Sequence, residues 1–145
     1  MDKIIKLLDR RLSYVGHKLV DGTLFISVRS LKKSVRCHYC GHLSSKVHSF
    51  YSRSFQDLPM QGQKVIIVLK NRKFFCRNSD CQHKTFAESY GFLSFKGKKT
   101  KRLEYSLIRQ SLHCSSVTAA KQFKTNFADV GKSTICNLLK KRRSC

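Results

Sequence analysis

The order of apolar and polar positions divides the chain into two differently patterned parts. The opening MDKIIKLLDRRL sets Ile4, Ile5, Leu8 and Leu12 on one face between basic residues, which predicts a short amphipathic helix. YVGHKLVDGTLFISVRS then reads as two strands around Asp21-Gly22, a favoured hairpin turn pair. KVHSFYSRSFQDLP and QKVIIVLKNRKFF are rich in β-branched and aromatic residues and are divided by Pro59 and Gly62, so they are expected to pair as strands. From Lys99 onward the period changes. TKRLEYSLIRQSLHC lacks Gly and Pro and carries Leu103, Leu107, Ile108 and Leu112 at helical spacing. SSVTAAKQF begins with capping residues, NFADVGK reads as a connector, and STICNLLKKRR offers Ser133 or Thr134 as a cap before Ile135, Leu138 and Leu139. Three helices are therefore expected after the strands, with the boundary near residues 90–99.

Charge narrows the partner. Thirty Lys and Arg against eight Asp and Glu give a net charge of +22 over 145 residues, while 41% apolar content is that of a folding chain. Residues 91–145 hold thirteen basic and two acidic side chains, half of the excess. Self-repulsion on this scale is relieved by a polyanion, and nucleic acid is the expected partner. No secretion signal and no apolar run of membrane-spanning length is visible. A cytoplasmic location is therefore expected, with no membrane partner. A reducing compartment and an odd total of seven cysteines disfavour a disulfide framework.

The cysteines come in pairs. RCHYCGH at 36–42 places Cys37 and Cys40 at C-x2-C spacing, and FFCRNSDCQHKTF at 74–86 places Cys76 and Cys81 at C-x4-C spacing. Two such turns deliver four thiolates to one tetrahedral zinc ion, and Gly41 suits the positive-φ geometry of a tight knuckle. A redox C-x-x-C would sit beside a βαβ unit, and none precedes Cys37. The expected site is a structural zinc finger clamping the two ends of a hairpin. His38, His42 and His83 are expected at the surface, and Cys114, Cys136 and Cys145 have no partner at metal spacing. Asp57, Asp80 and Glu88 are the carboxylates near the finger, but four thiolates leave no open position for catalysis. The deaminase signature is absent, and VGKST lacks the first glycine of a phosphate loop.

The three expected helices at 99–145 fit a helix-turn-helix, with Ala119 or Ala120 at the crossing. The third would lie in the major groove, bringing Lys132, Ser133, Thr134 and Asn137 to base edges and Lys140, Lys141, Arg142 and Arg143 to phosphates. The expected fold class is thus α+β: a small β-rich, zinc-ribbon-like four-cysteine finger followed by a three-helix helix-turn-helix. Its divisions are 1–36 (helix and hairpin leading in), 37–90 (finger) and 99–145 (DNA-binding segment).

CHYCG, VHSFYSRSFQDLP, FFCRNSDCQHKTFAE and the TKRL that follows resemble, in order, the N-terminal part of bacterial insertion-sequence transposases of the ISL-three type. STICNLL resembles that family's third helix. The resemblance covers roughly residues 15–142. It implies zinc ligation by Cys37, Cys40, Cys76 and Cys81, with His38 where proline is usual, and binding to the terminal inverted repeats of an insertion sequence. The family continues into an RNase H-like catalytic domain, whereas this sequence has no side-chain carboxylate beyond Asp129. The resemblance therefore implies a truncated DNA-binding front of a transposase, not an enzyme, in a transposition or DNA-recombination system. Self-association, or association with a full-length transposase, is the further partner it implies. The alternative is a basic zinc-ribbon protein binding structured, ribosome-associated RNA, with Phe50, Tyr51, Phe74 and Phe75 stacking bases. A relic without selected function is a third reading.

Overall fold

The computed structural model describes residues 1–94, 96–112, 117–118, 121 and 132–143. The chain is mostly β-sheet. The elements in order are α1 (Asp2–Leu8), β1 (Leu12–Val20), β2 (Thr23–Ser30), β3 (Val35–Arg36), β4 (Leu43–Ser44), β5 (Val47–Met60), β6 (Gln63–Phe75), β7 (Thr85–Ala87), α2 (Lys101–Ser111) and α3 (Lys132–Arg143). The main sheet runs β1-β2-β6-β5, with β7 paired to β6, and β3-β4 form a separate two-stranded ribbon.

Both expected hairpins form through two-residue turns with positive φ at each position, Asp21-Gly22 (47° and 72°) and Gln61-Gly62 (49° and 77°). That geometry matches the twist of the flanking strands. Pro59 lies inside β5 and does not divide the hairpin. Its missing N–H is tolerated because β5 ends the hydrogen-bonded order of the sheet. Alternation sets the buried face: Leu24, Ile26 and Val28 on β2, and Val65, Ile67 and Leu69 on β6.

Two compact units divide the chain. The first comprises Met1–His17, Ile26–Ser54 and Ile67–Gly91, and the second Lys18–Phe25, Phe55–Ile66 and Phe92–Cys145. In the first, Val35, Cys37, Phe74 and Phe86 form a buried cluster against which Val47, Cys76 and Cys81 pack. β7 completes it through the register Phe74↔Phe86. A second buried feature is ionic. Arg72 Nε donates to Glu88 Oε2 at 2.9 Å, and Ser30 Oγ donates to Glu88 Oε1 at 2.6 Å. Burial and the Glu88 charge push the neighbouring Tyr90 phenol upward.

The second unit corrects the expected fold class. A three-helix helix-turn-helix after the finger is not supported: among the described residues the helices are short and scattered along a mainly β chain. Leu103 and Leu107 of α2 and Ile135 of α3 form one buried cluster, joined by Leu138, Leu139 and Leu58 of β5. The apolar stripe that suggested a purely helical module thus packs a strand residue as well, because burial selects for apolar area and not for a kind of partner. The stripe is also narrower than expected, for Ile108 is half-buried and Leu112 is 56% exposed. Most of the expected middle helix, including Ala119 and Ala120, lies outside the described residues.

α2 begins as its sequence suggests. Thr100 Oγ1 accepts the Leu103 N–H at 3.3 Å and donates to Asp57 Oδ1 at 2.8 Å. Arg102 pairs with the same Asp57 carboxylate. α3 begins at Lys132, so Ser133 and Thr134 lie within its first turn and not at the cap. No helix among the described residues is long and apolar enough to cross a membrane.

Candidate metal centre

Two local turns bring the thiols together. In the first, Gly41 N–H donates to Cys37 O at 2.7 Å and Cys37 N–H donates to His42 O at 2.9 Å, closing a knuckle around Cys37 and Cys40. Gly41 has φ +76°, a conformation that costs other residues a steric clash. The β3-β4 register Arg36↔Leu43 holds the knuckle's base. In the second turn, Cys76 N–H donates to Lys84 O at 2.8 Å and Cys81 N–H to Asn78 O at 3.1 Å. Asn78 Oδ1 also accepts the Asp80 N–H at 3.1 Å, which shapes the four-residue loop. Cys76 follows β6 directly, so the β5-β6 hairpin carries one thiol pair beyond each end.

The four Sγ atoms of Cys37, Cys40, Cys76 and Cys81 lie within 4.8 Å of one another. With Zn–S bonds of about 2.3 Å, a tetrahedral set has sulfur–sulfur edges of about 3.8 Å. The donor set therefore fits zinc in number, chemistry and spacing, and the cofactor is zinc. Cys37 is fully buried, Cys76 and Cys81 are half-buried, and Cys40 is exposed.

The thiols differ in acidity. The His42 N–H, acting against some desolvation, helps pull Cys40 down to about 7, with thiol hydrogen bonds assisting. At Cys76 the Asn78 N–H pulls down, but desolvation and the hydrogen bonds to its fellow thiols raise it to about 12. Cys81 behaves alike: the His83 N–H lowers it, desolvation and Cys40 outweigh that, and the net shift is upward. Four adjacent thiols do not all ionise unaided, and a divalent cation supplies the missing charge.

His38, His42 and His83 are exposed, as expected. His83 instead stacks on Tyr39, with centroids 3.5 Å apart and planes 11° apart. Asp57 and Glu88 are both buried and each is taken up by an arginine, Arg102 and Arg72 respectively. Of the aromatics suggested for base stacking, Phe74 is core and Phe75 packs edge-on to His48, while Phe50 and Tyr51 are exposed. On α3, Ser133, Asn137, Lys140 and Lys141 are exposed and Thr134 is half-buried. Lys141 Nζ reaches Ser94 Oγ at 3.2 Å. The side chains of Lys132, Arg142 and Arg143 lie outside the described residues, as do Cys114 and Cys145. The Arg72–Glu88 pair escaped sequence reasoning, since sixteen residues separate its partners and no motif links them.

Residues 33–81 match the family described as the zinc-finger of transposase IS204/IS1001/IS1096/IS1165. The match spans both cysteine pairs and the hairpin between them, so this segment is similar to a transposase zinc ribbon in the part that carries the four thiols. No curated protein and no solved structure matches the chain.

Proposed function

We propose that this chain binds duplex DNA in a transposition system and that its ligands are the terminal inverted repeats of an insertion sequence. The observation that carries this reading is the coincidence of the transposase zinc-finger match at 33–81 with the converging set Cys37, Cys40, Cys76 and Cys81. These four residues hold the zinc. When bound, the ion supplies a cross-link between the two knuckles, and a closed set of four thiolates leaves no position for an activated water. The role is therefore binding and not catalysis. The net charge of +22 supports a polyanionic partner.

On α3, Ser133, Thr134 and Asn137, with Lys132 beside them, face base edges in this reading. Lys140 and Lys141, with Arg142 and Arg143, meet phosphates. Asn suits bidentate contact with adenine. Asn137→Ala is expected to cost about 1–3 kcal/mol on the terminal repeat and little on scrambled duplex. Lys140→Ala is expected to weaken both alike and lower the salt slope by about one unit. Equilibrium titration of terminal-repeat duplex, scrambled duplex and a structured RNA at several salt concentrations tests the function. Tightest binding to the terminal repeat supports it, and preference for the RNA contradicts it.

A further inference from the structure

The first compact unit contains a cleft of about 350 Å³ whose charged lining is wholly cationic: Arg11, Lys32 and Arg36, with the hydroxyls of Ser34 and Ser89. We propose that this cleft is a seat for a backbone phosphate of the bound nucleic acid, a contact made beside the zinc ribbon and additional to those proposed for α3. The inference rests on the nucleic-acid reading above and specifies where the ribbon's own unit grips the strand.

Three features favour an anion here over a merely solvated basic surface. The first is convergence. Arg11 lies between α1 and β1, Lys32 between β2 and β3, and Arg36 on β3, yet all three border one concavity. Like charges gathered this way repel one another unless an anion joins them. Of the nearby carboxylates, Asp9 takes the Arg11 Nε at 3.2 Å and also feels the Lys32 charge, while Glu88 is engaged by Arg72, so three lining cations face one carboxylate not otherwise paired.

The second feature is that the walls are fixed. Leu31 N–H donates to Arg11 O at 2.7 Å, tying the Lys32 segment to the start of β1. Arg72 Nη2 donates to Lys32 O at 2.8 Å while its Nε holds Glu88, the residue before Ser89. The buried Arg72–Glu88 pair therefore sets the backbone position of two wall residues, Lys32 and Ser89, and acts as a positioning device. Arg36 Nη1 donates to Gly41 O at 3.3 Å, linking the third cation to the first zinc knuckle. A site whose wall backbone is held in place before binding loses less entropy on capturing a phosphate.

The third feature is donor chemistry. Guanidinium groups recognise phosphate oxygens in bidentate fashion, an ammonium adds a point charge, and serine hydroxyls donate to the remaining oxygens. The cleft holds all three kinds, and no carboxylate lines it.

The test uses the full zinc-loaded chain. Arg11→Gln with Lys32→Gln removes two lining cations, and Ser89→Asp places a carboxylate in the cleft from an exposed position. Lys3→Gln with Lys73→Gln, at exposed positions outside the lining, removes equal charge as a control. Zinc content and thermal melt verify that each variant is folded. Duplex binding is measured against salt, and inorganic phosphate is titrated while the amide resonances of Ser34 and Ser89 are followed. The expected result is a salt slope lowered by about one unit in the double variant, as for one lost phosphate contact, weaker binding in Ser89→Asp, and no comparable change in the control. Saturable phosphate shifts at both serines should appear in wild type and vanish in the cleft variants. Duplex binding with equal slopes in cleft variant and control would overturn the cleft and leave the DNA reading standing. Phosphate shifts without any duplex or RNA binding would overturn the nucleic-acid ligand and leave a free-phosphate site. Absence of phosphate shifts in wild type would overturn the site itself.

Discussion

Glu88 has no exposed side-chain surface, and its charge is met by Arg72 and by the Ser30 hydroxyl. Taking two charges from water gives little net stability, but removing one partner leaves the other stranded. Arg72→Met is therefore expected to destabilise the fold by about 3–5 kcal/mol in denaturant unfolding, and Arg72→Met with Glu88→Leu to recover most of that loss. A single variant within 1 kcal/mol of wild type would show that the pair is not desolvated as described. Residue-level chemistry was readable from sequence where it was local. The C-x2-C spacing, the left-handed Gly41 and the Asp21-Gly22 turn each lie within a few residues. The ion pairs of Arg72 with Glu88 and Arg102 with Asp57 were not readable, since they depend on strands brought together only by folding.

At the scale of elements, the turns and the cap have separate signatures. Gln61 occupies a positive-φ turn position that favours Asn or Gly. Gln61→Asn is expected to stabilise the β5-β6 hairpin by a few tenths to about 1 kcal/mol. An unchanged or lowered melting temperature would count against the turn geometry. Thr100→Ala removes the cap of α2 and the hydroxyl donor to Asp57, with an expected loss of about 1–2 kcal/mol. Amide exchange that quickens in α2 and α3 while the zinc knuckles keep their protection would locate the effect. The strands were legible because period-two alternation over β2 and β6 is long and clean. The segment after residue 99 was less so. Its helical spacing correctly indicated α2 and α3, but spacing does not reveal what an apolar stripe packs against, and here Leu58 of β5 shares the cluster. The helix-turn-helix expectation failed at that step.

For the whole molecule, metal and core are one structure in the first unit, where Cys37 is buried with Phe74 and Phe86, and Cys76 and Cys81 pack on them. Losing the ion should loosen that core as well as free the thiols, so a strong chelator is expected to lower the thermal melt and expose Phe74 and Phe86. The charge of +22 makes nucleic acid the natural counterpart, and the ribbon is the scaffold that presents part of that charge. The proposed DNA binding depends on the two cysteine pairs forming one zinc centre. Native mass spectrometry of the intact chain, purified in reducing buffer without chelator, measures this most directly. The account predicts one zinc per chain with four thiols deprotonated, and loss of that zinc in Cys76→Ala with Cys81→Ala. A metal-free mass, or zinc retained by the double variant, would contradict it.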